Sequence, residues 1–233
     1  MPRQYSLRFP DQPERFADLA ITDSNCGAID TIRNWSSWSH SALCLVGPVQ
    51  SGLRVTAKLW ADEAEAVLMD GRTFDALSGA ELDAQARGCW AIDLADQVSN
   101  EDNLLMLLNL AAQREMHVLL TARTFPALWG RKSSDLQSRL VGMPHTEIYP
   151  PDEEMLIERL HAACRRRYMR LDEKTVAFLA IRLPRSYAAI EEYVSRLDKA
   201  VDANQRAPSI HLARSVLEDG AGSRALFGET DDL

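Results

Sequence analysis

Between about residue 25 and residue 150, short apolar runs alternate with segments of helical pattern, and few folds accommodate that arrangement. Ala42-Leu43-Cys44-Leu45-Val46 is the first run and ends at Gly47-Pro48. Ala66-Val67-Leu68-Met69, Cys89-Trp90-Ala91-Ile92-Asp93, His117-Val118-Leu119-Leu120-Thr121 and Thr146-Glu147-Ile148-Tyr149 follow. Between the third and fourth runs, Leu104 to Leu110 is apolar at all but one position, with Asp102 before it as a start signal; its length suits a buried helix. A strand with one wet face alternates polar and apolar residues. These runs do not, so both faces of the sheet are covered. The pattern predicts an α/β fold of three layers, a parallel sheet between helices.

Pro150-Pro151 marks a change of regime, and beyond it the pattern is wholly helical. Asp152-Glu153-Glu154 opens a helix carrying Met155, Ile157, Leu160 and Ala163, and Asp172 caps a second with Val176, Leu179, Ala180 and Leu183 on one face. Ser186 starts a third, through Ile190, Val194 and Leu197 to Val201, and Pro208 to Leu217 offers a fourth. The sequence thus divides into an N-terminal peptide and linker (1–24), an α/β base (25–150), a helical lid (151–219) and an acidic tail expected to be disordered (220–233).

At 233 residues, 46% hydrophobic and 26% charged, the chain reads as a globular protein with a substantial core. Its formal net charge of −8 opposes broad contact with nucleic acid, so no sequence-specific DNA binding is expected. Cys26, Cys44, Cys89 and Cys164 show no metal-ligand spacing, and Cys44 and Cys89 sit in apolar runs as buried thiols of a reducing cytosol. No signal peptide or spanning segment is read, which gives a cytoplasmic expectation with no membrane partner. The five histidines have no metal spacing and no serine-nucleophile elbow, so no metal site is expected.

After the first apolar run comes Gly47-Pro48-Val49-Gln50-Ser51-Gly52-Leu53-Arg54. It keeps the frame of the P-loop, G-x-x-x-x-G-K-[ST], at a strand-to-helix junction. Gly47 and Gly52 still allow backbone N–H groups to face an anion. However, Leu53 stands where the phosphate-binding Lys belongs, and Arg54 where the metal-binding hydroxyl belongs. The third run has the layout of a Walker-B strand, with Asp93 at the metal-facing position, but Leu94 replaces the acid that orients water in an ATPase. A lone carboxylate reads as a strand-end structural residue, and self-contained ATP hydrolysis is not expected.

Ahead of any regular pattern lies Gln4-Tyr5-Ser6-Leu7-Arg8-Phe9, a Q-x-x-L-x-F hexapeptide bracketed by Pro2 and Pro10. Leu7 and Phe9 offer apolar area to a shallow cleft, and Gln4 fixes register by hydrogen bonding. An edge strand packed on the body is the plainer alternative. The hexapeptide resembles the segment by which bacterial proteins bind the replication sliding clamp.

An α/β base with a P-loop, followed by a helical lid, resembles the AAA+ superfamily, and within it the Hda group, relatives of the replication initiator DnaA without its DNA-binding domain. The resemblance spans roughly residues 3–218. It is carried by Gln4–Phe9, Leu43-Cys44-Leu45-Val46-Gly47-Pro48, Leu120-Thr121-Ala122-Arg123-Thr124, Trp129-Gly130, Leu136-Gln137-Ser138-Arg139-Leu140 and Arg185-Ser186-Tyr187-Ala188-Ala189. It implies an AAA+ three-layer parallel sheet with a C-terminal all-helical lid. The departures are Leu53, Arg54, Leu94 and Ala189, the last near where the initiators carry a nucleotide-sensing Arg; all concern nucleotide handling. ADP is the cofactor the resemblance implies, and Leu53 and Arg54 stand against it.

The resemblance also gives Arg139 a role. In AAA+ assemblies an Arg in this S-R context reaches a neighbour's γ-phosphate in trans, so the donating subunit need not hold nucleotide. By spacing alone, the better reading of Arg139 is a surface or C-terminal helix arginine in a local ion pair; the family frame is what favours the trans role. The implied function is a clamp-dependent negative regulator that makes DnaA hydrolyse its ATP, with the sliding clamp and DnaA as partners and a homo-oligomer as a possibility. A non-catalytic subunit of a clamp-loader-like assembly and a nucleotide enzyme with an unorthodox pocket are the alternatives; the lack of a further oligomerisation domain after residue 220 weighs against the former. Arg165-Arg166-Arg167 with Arg170 reads as a solvated helix end. Trp35 and Trp38 read as packing residues, and Arg123 lies where AAA+ proteins place a polar sensor.

Overall fold

The computed structural model describes residues 15–204 and 207–225. The hexapeptide with Gln4, Leu7 and Phe9 lies outside the described residues, as do residues 226–233. Two compact units meet in sequence at Pro150-Pro151.

The first unit runs α1 (Cys26–Arg33), β1 (Ala42–Val46), α2 (Leu53–Glu63), β2 (Val67–Asp70), α3 (Gly71–Asp75), α4 (Gly79–Gln85), β3 (Cys89–Asp93), α5 (Glu101–Gln113), β4 (His117–Ala122), α6 (Ser134–Val141) and β5 (His145–Glu147). The five strands form one sheet in the order β2-β3-β4-β1-β5, and every pairing is parallel. Alternate residues of the three central strands, Cys44 and Val46, Trp90 and Ile92, Val118 and Leu120, share one core with Phe74, Leu82, Leu104, Leu107, Leu136 and Leu140 from α3 to α6. On the opposite face, α2 packs against β3 and β4 and α1 against β5. This is the three-layer α/β arrangement expected from the unbroken apolar runs.

The edges of the sheet depart from expectation for physical reasons. β2 is half exposed and includes Asp70, because an edge strand has one neighbour and needs less apolar cover. β5 starts at His145 and stops at Glu147; Ile148 still donates its N–H to Val46 O (2.8 Å), but Tyr149 turns away to Ser24 O (2.8 Å). α5 is capped by Asn100 rather than Asp102: the Asn100 Oδ1 accepts the Asn103 N–H at 3.0 Å.

Trp38 stacks on the buried Trp60 of α2 with centroids 5.8 Å apart, and Trp35 meets Trp60 edge-on at 6.2 Å. Trp38 Nε1 also donates to Thr31 O at 2.8 Å, so both outer indoles are packing residues as expected. His117 presents its ring to Trp35 at 5.2 Å, and burial pulls its pKa below the ordinary histidine value. The folded state therefore binds the proton less readily than the unfolded chain. Stability is full above about pH 6.5 and falls as acid protonates the unfolded histidine first. Chemical denaturation at pH 5 and pH 7.5 should show a smaller acid loss in His117→Phe than in the unaltered chain.

The second unit is helical: α7 (Glu153–Arg165), α8 (Glu173–Ala180), α9 (Tyr187–Asn204) and α10 (Ile210–Ala225). The caps are the expected aspartates. Asp152 Oδ1 accepts the Met155 N–H at 2.7 Å, and Asp172 Oδ1 accepts the Thr175 N–H at 2.6 Å. α10 runs six residues beyond the boundary placed at 219, so the backbone is helical where a disordered tail was expected to begin. Leu156, Leu160, Leu179, Ile190, Tyr193, Val194 and Leu197 are central to its core.

The arginine cluster is not simply a solvated helix end. Glu191 of α9, only 16% exposed, pairs with Arg166, with Arg167 at 3.5 Å and with Arg159 at 3.8 Å, while Arg167 also lies 3.8 Å from Asp198. Burial pulls the Arg159 guanidinium below its ordinary range and Glu191 opposes the shift. Glu191→Ala would leave three guanidiniums facing each other around an empty position. It should destabilise the helical unit by about 2 kcal/mol, since removing one partner of a buried ion pair leaves uncompensated charge. Circular dichroism through thermal unfolding measures it.

Candidate functional site

β1 ends at Val46 and the loop begins. Gly47 donates its N–H to Ala122 O (3.1 Å), which anchors the loop to the end of β4. Gln50 (φ 64°) and Gly52 (φ 103°) adopt left-handed backbone, and Gly52 caps the N-terminus of α2. The chain thus turns from β1 into α2 through a loop bracketed by Gly47 and Gly52. Its interior is filled. A Cβ placed on Gly47 would come 2.8 Å from Ser51 Oγ and 3.2 Å from both Leu53 Cδ2 and Ile148 Cβ, so a side chain there would force its neighbours to shift. Leu53, where a lysine would extend towards phosphate, is buried and turned back against Gly47. The Ser51 N–H is spent on Pro48 O at 3.1 Å.

Asp93 closes β3 beside this loop and is 5% exposed. Its Oδ1 accepts the Thr121 hydroxyl at 2.8 Å, and Thr121 Oγ1 in turn accepts the Leu94 N–H at 2.8 Å. Its Oδ2 accepts from Arg54 Nη1 at 3.1 Å. Each carboxylate oxygen thus has a protein donor. Asp70, in register with Asp93 on β2, caps α3 through Thr73; those hydrogen bonds hold its carboxyl below the usual carboxylate range, with a smaller contribution from Arg54.

Gly47, Gly52, Leu53, Arg54 and Asp93 are therefore brought together, but they do not fit a magnesium nucleotide. Magnesium needs oxygen ligands in near-octahedral array, and Arg54 offers a positive charge where an oxygen is required. Leu53 supplies no charge for a β- or γ-phosphate. Leu94 (φ 55°) supplies no second acid. Two contacts here were missed from sequence, the Arg54–Asp93 bridge and the Thr121 hydroxyl. The available signal was the pairing of a retained acid with a cation at the hydroxyl position. Arg123 is exposed, its N–H donates to Asp96 Oδ2 at 3.1 Å, and Thr121 rather than Arg123 is the polar group that meets Asp93.

Arg139 lies on α6. Leu136 and Leu140 are buried on the inner face of that helix, so Ser138 and Arg139 project outward, and Arg139 is exposed. Among the described residues no acid lies within ion-pair distance of it, including Asp135 one turn earlier. The helix that carries it is firmly seated. Glu101 accepts the backbone N–H groups of Ser133 (2.9 Å) and Lys132 (3.1 Å), which hold its carboxyl below the usual range, Ser133 most strongly. Arg131 donates to Val98 O (2.6 Å), Ala95 O (3.0 Å) and Asp96 O (3.0 Å), and Gln137 bridges Arg131 N and Ala127 O. Leu128 and Val141, 71% and 63% exposed, flank the same segment. Ala189, where a sensing arginine was considered, is buried in α9. The described residues contain no cluster of metal-ligating side chains and no helix long and apolar enough to cross a membrane.

No family model matches this sequence, and no curated protein matches it. Solved structures do. Domain III of the Thermotoga maritima replication initiation protein DnaA superposes with a TM-score of 0.72 at 14% identity, over 92% of this chain and 98% of that one. AMPPCP-bound DnaA from Aquifex aeolicus gives 0.63 at 14% identity, over 82% of this chain and 67% of that one. The Thermotoga maritima RuvB Holliday junction branch migration motor gives 0.64 at 16% identity, over 89% and 72%. At such identities the likeness is one of fold. The fold is that of the AAA+ class, a five-stranded parallel sheet with helices on both faces followed by a helical part.

Proposed function

We propose that this chain is a non-catalytic AAA+ regulator of the Hda type, working in the cytoplasm on the replication initiator DnaA. The observation that carries the reading is a contrast within one unit. The position where a P-loop would hold nucleotide is occupied by Leu53 and by the Arg54–Asp93 bridge, while Arg139 is exposed on a firmly seated helix and has no ion pair among the described residues. An arginine so presented suits a triphosphate held by another subunit, where its guanidinium stabilises charge as the γ-phosphoryl group transfers to water. Gln4, Leu7 and Phe9 supply the second contact, to the sliding clamp. Tethering regulator and initiator on one clamp raises their effective concentration, so each contact alone can be weak. The likeness in fold to DnaA domain III agrees with a replication-related reading.

The test is reconstitution. ATP-loaded DnaA, clamp on DNA and this chain are mixed and ADP formation is followed. Hydrolysis that accelerates only when all three are present supports the reading. Turnover by the isolated chain, or no acceleration by the complete mixture, overturns it.

A further inference from the structure

We infer that Arg54 stands in for the divalent cation of this site, so that the chain holds its folded state with the nucleotide position closed by its own guanidinium. The argument begins with Asp93. A carboxylate 5% exposed at the end of a strand needs a compensating charge. In a working site of this layout a bound dication, itself held by the loop hydroxyl, supplies that charge. Here the hydroxyl position is an arginine, and its Nη1 lies 3.1 Å from Asp93 Oδ2. One substitution thus removes a metal ligand and delivers a positive charge to the acid the metal would have met.

The rest of the loop is consistent with a permanent arrangement. Thr121 takes the other carboxylate oxygen, and Ser51 Oγ, Leu53 and Ile148 pack around Gly47. A dication brought to Asp93 would meet the guanidinium and must displace it. The Arg54 side chain is 68% exposed, so the bridge is open to water and its strength is modest, but Asp93 beneath it is buried. The regulatory meaning follows: this subunit has no ATP and ADP states of its own, and any switching must come from the nucleotide of a partner. This holds whether or not that partner is DnaA.

Thermal unfolding and titration calorimetry on the full chain test the inference. The unaltered chain should show the same melting temperature with magnesium, magnesium–ADP or magnesium–ATP, and with ADP in chelator, and no heat of binding. Arg54→Ala should melt about 2–4 °C lower, the shift that the loss of a modest interaction gives in a chain of this size. Restoring the loop with Leu53→Lys and Arg54→Thr together should create a magnesium-dependent rise in melting temperature with ADP. Magnesium–ADP binding to the unaltered chain overturns the inference, and so does binding of ADP in chelator, which would make Arg54 a phosphate ligand. If the double variant does not fold, Arg54→Ala decides: melting at the unaltered temperature shows that the bridge supports nothing. Because none of these measurements uses a partner, they can fail or succeed independently of the reconstitution above.

Discussion

Arg139→Ala should leave the chain folded and bound to the clamp while stimulated hydrolysis by DnaA falls by about 10³-fold, the lower end of what a trans arginine contributes in comparable phosphoryl transfer. The structural side of this expectation is well defined. Arg139 is exposed on α6, and Leu136 and Leu140 hold that helix to the core without it. Alanine is the best helix former, so the backbone loses nothing. A fall in hydrolysis with unchanged melting temperature therefore isolates the guanidinium. Arg139→Lys should not restore the rate, because an ammonium lacks the planar fork that spans two phosphate oxygens. Normal stimulation by Arg139→Ala would remove the arginine from the mechanism.

Leu7→Ala with Phe9→Ala should reduce capture on immobilised clamp by about 100-fold or more. Burying a leucine or phenylalanine side chain contributes roughly 1.5–3 kcal/mol each, and two such losses exceed what a short peptide spares. In the reconstituted reaction the same variant should lose stimulation at low protein concentration and regain part of it when the chain is added in excess. That rescue separates a tether from a catalytic group: excess Arg139→Ala should never regain the rate. Clamp capture equal to that of the unaltered chain would show that the hexapeptide does not dock.

The sheet was legible because burial on both faces writes itself as continuous apolar runs, and Ala42–Val46 and Cys89–Asp93 have the bounds their composition suggests. Edge strands were less legible, since β2 and β5 are stabilised by one neighbour and tolerate Asp70, His145 and Glu147. The lid helices announced themselves through Asp152 and Asp172, whose side chains cap where capping residues were expected. The arginine run of the lid was misread because Glu191, the acid it surrounds, lies on another helix about 25 residues away, and no local rule connects them. The candidate site was half legible. That Leu53 and Arg54 remove two functions follows from their chemistry alone, but that Arg54 then turns to Asp93, 39 positions on, needed the fold to bring β1, α2 and β3 together.

All five tryptophans belong to the first unit, and two of them, Trp35 and Trp38, pack against Trp60, whereas the helical unit carries tyrosine but no indole. Indole fluorescence therefore watches one half of the molecule and is blind to the other. A lid lesion such as Glu191→Ala should lower the helical circular dichroism before the emission maximum moves, so a single heated sample tells which half lets go first.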